Sequence, residues 1–108
     1  MTIQITTTAD KKQVLEEIAK KLLEERLIGC AQIIGPVKSI YWWEGKIVEE
    51  EEFLCFMKTK AELFDAVKDM IKDLHPYEVP EIIGIKAEMV SRDYELWLEN
   101  ETKNKPND

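Results

Sequence analysis

The chain has 108 residues and a formal net charge of −7, with 44% hydrophobic and 34% charged residues. That length fits one compact domain, and the apolar content argues against disorder. The acidic balance and the presence of only two arginines, Arg26 and Arg92, argue against general nucleic-acid binding and against phosphate recognition by an arginine cluster.

No apolar run approaches the 18 or so residues that cross a bilayer. Met1-Thr2-Ile3-Gln4 leads directly into a strand-like alternation, so no leader is expected and a cytosolic location is the reading. The two cysteines, Cys30 and Cys55, lie outside any CxxC motif. Reduced, buried thiols are expected.

Residues 3–8 alternate as a first strand. A helix follows from about Lys11 to Leu27, with Val14, Leu15, Ile18, Ala19, Leu22 and Leu23 at three- and four-residue spacing. Asp10 is the expected cap, with Gln13 completing a box, and Gly29 the expected left-handed C-terminal residue. Cys30 to Ile34 start a second strand, which Gly35-Pro36 should bend or bulge. Pairing resumes from Val37 to Trp43. Glu44-Gly45 fits a two-residue hairpin turn, because glycine tolerates positive φ. The return strand covers Lys46 to about Lys58.

Gln32 to Trp43 as one extended arm would reach roughly 40 Å. A domain of this size has a radius of gyration near 13 Å. The arm should therefore outrun its own globule, and its tip carries Tyr41, Trp42 and Trp43. Large exposed apolar patches mark interaction sites, so self-association through this hairpin is expected, with those three residues in the interface.

Thr59 and Glu62 match a capping box for a second helix ending near Leu74. His75-Pro76-Tyr77-Glu78-Val79-Pro80-Glu81 then forms a stiff extended connection, since each proline disfavours helix in the residue before it. Ile82 to Val90 read as the last strand, with Gly84 marking a bulge or a close approach. Ser91 or Asp93 opens a short terminal helix with Tyr94, Trp97 and Leu98, and 101–108 read as a polar tail. The order β-α-β-β-α-β plus a short helix is the α+β, ferredoxin-like arrangement: one antiparallel sheet with two helices on one face, as a single domain over 1–108.

Few residues offer chemistry. His75 is the sole histidine, near Tyr77, Glu78 and Glu81. It reads either as a metal ligand or as a ring held by a backbone carbonyl that helps end the helix. Cys30 reads as a nucleophile only with a base beside it, and the sequence places none there. In Glu49–Glu52, alternate members share a face; a solvated strand or bulge is the expected reading. No Ser-His-Asp set, P-loop or GxGxxG occurs, and no enzyme is read here.

Taken together, Gly29-Cys30-Ala31-Gln32-Ile33, Gly35 to Lys46 with its Tyr41-Trp42-Trp43-Glu44-Gly45-Lys46 core, Lys58-Thr59, His75 to Ile82 and Tyr94 to Leu98 resemble the CutA divalent-cation-tolerance family. The resemblance implies a ferredoxin-like homotrimer built through the long hairpin, similar in architecture to the PII signalling proteins. It implies a role in tolerance of divalent metals, copper or zinc among them, with no obligatory cofactor. A PII-like scaffold binding a small molecule or a partner protein is the alternative. Mammalian relatives are associated with anchoring an esterase. Bacterial relatives credited with copper binding carry a first-strand cysteine and two adjacent histidines. Here those positions hold Thr6, Leu74 and His75, so His75 is the one metal candidate carried over. Cys30, Tyr77 and Glu81 are the further candidates for an inter-subunit cleft.

Overall fold

The computed structural model describes residues 1–104. Its order is β1 (Thr2–Ala9), α1 (Lys12–Glu24), β2 (Cys30–Trp43), β3 (Lys46–Lys60), a 3-10 turn (Ala61–Leu63), α2 (Phe64–Leu74), β4 (Ile83–Lys86) and α3 (Arg92–Glu101). The strands form one antiparallel sheet in the order β2-β3-β1-β4. This is the expected ferredoxin-like arrangement. No helix of the described residues is long and apolar enough to cross a membrane.

Opposed residues of antiparallel strands point to the same face, so the register assigns each face. Ile3, Ile5, Thr7 and Ala9 stand opposite Thr59, Met57, Cys55 and Phe53. Most of this set is buried beneath Leu15, Ile18 and Leu22 of α1 and Val67 and Ile71 of α2. Burial pushes the Cys55 thiol up from 9.0 to about 11. The other face carries Leu54 and Phe56, half-buried, and Ile34, Ile83 and Ile85, exposed.

β1 pairs with β3 only over Phe53–Lys60. Beyond that, 37–43 pairs with 46–52 alone, as a two-stranded ribbon. Its turn has φ 49° at Glu44 and 77° at Gly45, the primed geometry that matches strand twist. The expected break falls between Ile34 and Val37, as a bulge at a cis Gly35-Pro36 peptide. The molecule measures 43 × 28 × 23 Å, and Ile40, Trp42 and Ile47 are each more than 60% exposed on one side of the ribbon.

Several local expectations change. Lys11, not Asp10, precedes α1, and it makes no side-chain cap. α1 closes with a Schellman-type pair, Leu27 N to Leu22 O and Arg26 N to Leu23 O, both 3.0 Å. The left-handed residue is Arg26, φ 58°, not Gly29. Its guanidinium is held 2.7 Å from Glu101 Oε2, tying α1 to α3. Gly29 matters for space: a Cβ there would land on Leu98 Cδ1.

Thr59 caps no helix, because it is buried in β3 and its hydroxyl donates to Leu27 O at 2.6 Å. β4 stops at Lys86, short of Val90. β1 begins at Thr2, so after the bond from Ala87 N to Thr2 O no partner strand remains. Ser91 caps α3 as expected, accepting from Tyr94 N. The polar tail is anchored at its start: Thr102 is buried and its carbonyl accepts from Lys60 Nζ at 3.2 Å. Residues 105–108 lie outside the described residues.

Two predictions follow from this packing. Gly29→Ala should lower unfolding free energy by about 1–3 kcal/mol, as overpacking of a closed contact does; an unchanged guanidinium midpoint contradicts the contact with Leu98. The raised Cys55 pKa means the folded state holds its proton more tightly than the unfolded chain. Stability should then fall as pH rises from 9.0 towards about 11. The fall should be shallower in Cys55→Ala, and identical slopes contradict it.

A carboxylate-lined cleft at the foot of the hairpin

α2 ends at Leu74 because His75 precedes a proline and turns extended, with φ −80° and ψ 134°. The His75 ring then fixes the path of the loop. Nε2 lies 2.6 Å from Thr8 O, and Nδ1 accepts from Tyr77 N at 3.1 Å. A carbonyl can only accept and an amide N–H can only donate, so the ring is the neutral Nε2–H tautomer. The imidazole is 7% exposed and rests against the Tyr77 ring, with centroids 4.6 Å apart.

Pinned this way, Tyr77–Glu81 stands across from the ribbon and closes a cleft of about 690 Å³. Ser39–Trp43, Glu50 and Glu52 form the opposite wall, with Thr8 between them. Register places Ser39, Tyr41, Trp43, Glu50 and Glu52 on one side of the ribbon, opposite the exposed Ile40–Trp42–Ile47 stripe. Tyr77 Oη donates to Glu52 Oε2 at 2.8 Å, joining the walls.

The cleft is electrostatically one-sided. Glu52 is only 6% exposed, and none of the described residues lining the cleft is a lysine or arginine. Burial raises the Tyr77 pKa, the hydrogen bond to Glu52 raises it again, and the charges of Glu52, Asp10 and Glu50 add to the effect. Partial burial and the Glu52 charge raise Glu81. Tyr41 is raised by desolvation and by the nearby Glu50 carboxylate. Each shift resists adding negative charge.

The residues singled out in the sequence divide. Tyr77, Glu81, Tyr41, Trp42 and Trp43 line the cleft together. His75 lies behind it as the loop's anchor, with both ring nitrogens engaged. Cys30 stands apart within one chain; its sulfur lies 3.4 Å from Tyr94 Oη. That contact, with burial second, pushes Tyr94 up to about 12. Glu50 and Glu52 are the residues the sequence reading passed over. Their signal was the alternate spacing within Glu49–Glu52. Among the described residues, no group of three or more His, Cys, Asp or Glu side chains could hold a metal ion.

The family model described as CutA1 divalent ion tolerance protein matches residues 3–101. A Pyrococcus horikoshii protein named divalent-cation tolerance protein CutA is 46% identical over 94% of this chain and 98% of its own. The human protein CutA is 38% identical over 89% of this chain and 54% of its own length. The solved structure of the Thermus thermophilus divalent cation tolerance protein superposes with a TM-score of 0.92 at 39% identity, covering 95% of this chain and all of that one. With its sheet order, its long hairpin and its sequence matched from end to end of the domain, this chain belongs to the CutA1 divalent ion tolerance family.

Proposed function

We propose that this protein acts in divalent-cation tolerance, as a homotrimer that meets metal ions weakly at the carboxylate-lined cleft. The relatives' names support the first half. Glu52 carries the second: it is a buried carboxylate whose one hydrogen bond comes from a neutral phenol and which has no cation within its own chain among the described residues. Buried carboxylates are normally paired or bound to metal. Glu50 and Glu81 flank it in the same cleft.

Weak binding follows from the donor set. One chain supplies fewer than three close ligands among its described residues, whereas tight transition-metal sites combine several nitrogen or sulfur donors. A neighbouring copy adds donors only if the clefts adjoin. His75 would have to give up Thr8 or Tyr77 to bind a metal, so we assign it the positioning role and give metal contact to Glu52 and Glu81. The second reading, a PII-like scaffold, draws on the cleft's volume alone.

Calorimetric titration with copper, zinc and cadmium tests this. Glu52→Gln should weaken binding roughly tenfold, or about 1.4 kcal/mol. His75→Ala should keep the metal heats but lose about 1–3 kcal/mol of stability for each buried backbone group it leaves unpaired. Absence of heat with all three metals, or a loss of binding confined to His75→Ala, contradicts the assignment.

A further inference from the structure

Carboxylates are only part of the cleft's lining. Tyr41 and Trp43 stand beside Glu50 and Glu52 on the ribbon wall, and Tyr77 stands with Glu81 on the loop wall. Aromatic rings offer a bare metal ion little, because they carry no lone-pair donors apart from the two phenols. They do attract organic cations through the negative face of the ring. The volume of about 690 Å³ is that of a small-molecule site and far exceeds what one hydrated metal needs.

We infer that this cleft binds an organic ammonium ion, its charge met by Glu52 and Glu81 and its alkyl groups packed on Tyr41, Trp43 and Tyr77. Three features converge on that class. Among the described residues, the acidic groups are spread along the cleft walls rather than gathered into a metal-ligating cluster. Glu52 is buried without a countercharge among the described residues, so a cation entering the cleft relieves a desolvated charge rather than a solvated one. The Tyr77–Glu52 hydrogen bond holds a ring and a carboxylate in fixed relation before any ligand arrives, which lowers the ordering needed on binding. In one chain Trp43 is 44% exposed, and it stands on the cleft side of the ribbon, away from the Ile40–Trp42–Ile47 stripe that a neighbouring copy would cover. This inference goes beyond the metal reading and does not depend on it.

Two of the three tryptophans provide the test. Trp43 lines the cleft, whereas Trp97 lies on α3 against Tyr94, with ring centroids 5.5 Å apart. The full chain is titrated with tetramethylammonium chloride and, separately, 1,4-diaminobutane. Indole N–H signals are followed by NMR, with sodium chloride at matched ionic strength as reference. A saturable shift of Trp43 with Trp97 unmoved is expected. Glu52→Gln and Trp43→Leu should each weaken it roughly tenfold or more, the former having lost the charge and the latter the ring; calorimetry reads the Trp43→Leu variant. Glu49→Gln removes the same charge from a residue paired with Lys38 outside the cleft and should leave binding unchanged. The inference is overturned if sodium chloride reproduces the shift, if Glu49→Gln weakens it as much as Glu52→Gln, or if no saturation occurs. Zinc titrated in parallel separates the two readings. Zinc heats without a Trp43 shift support only the metal site, and a Trp43 shift without zinc heats supports only the ammonium site.

Discussion

The antiparallel ladder between β2 and β3 runs from Cys30–Lys58 to Trp43–Lys46, and β1 supports less than its full length. A free two-stranded ribbon is marginal in water. Here the four-stranded sheet steadies one end, and the primed turn at Glu44-Gly45 fixes register at the other. The bulge at Ile34/Val37 resets the path between those ends. The result is a stiff arm with one acidic and aromatic side and one apolar side. The acidic side makes the cleft. The apolar side, Ile40, Trp42 and Ile47, is left without cover in one chain.

The cleft depends on a short chain of contacts that begins in the core. Thr8 at the end of β1 receives His75, His75 receives Tyr77, and Tyr77 reaches Glu52 on β3. Each link is local and directional. Together they carry the position of the central strand out to the ribbon and hold a desolvated carboxylate in place. A single histidine, with both ring nitrogens already engaged, thus sets the path of the loop that forms one wall of the cleft.

Much of this was legible in the residues. Strict alternation, two amphipathic helices and the Glu44-Gly45 turn defined the element order, and Gly35-Pro36 marked the bulge. What the sequence hid was set by tertiary contact. Thr59 looks like a cap, but its hydroxyl is taken by Leu27 O. Gly29 looks like a helix stop, but Arg26 takes the left-handed position and Gly29 makes room for Leu98. β4 looks twice as long as it is, because nothing in 82–90 reveals where β1 begins. Cys30 was expected at an inter-subunit cleft; within one chain its sulfur lies beside Tyr94. Glu52 looked solvated, but it is buried where the loop after α2 reaches the ribbon, whereas Glu50 stays exposed at the cleft's edge.

The central claim is that the unsupported ribbon requires neighbours of the same chain. Native mass spectrometry at micromolar concentration, paired with light scattering, measures this directly. The account predicts one species at three times the 12.6 kDa chain mass, with the Trp42 indole shielded from a soluble quencher. A well-folded single-chain species with that indole still open to the quencher would contradict it.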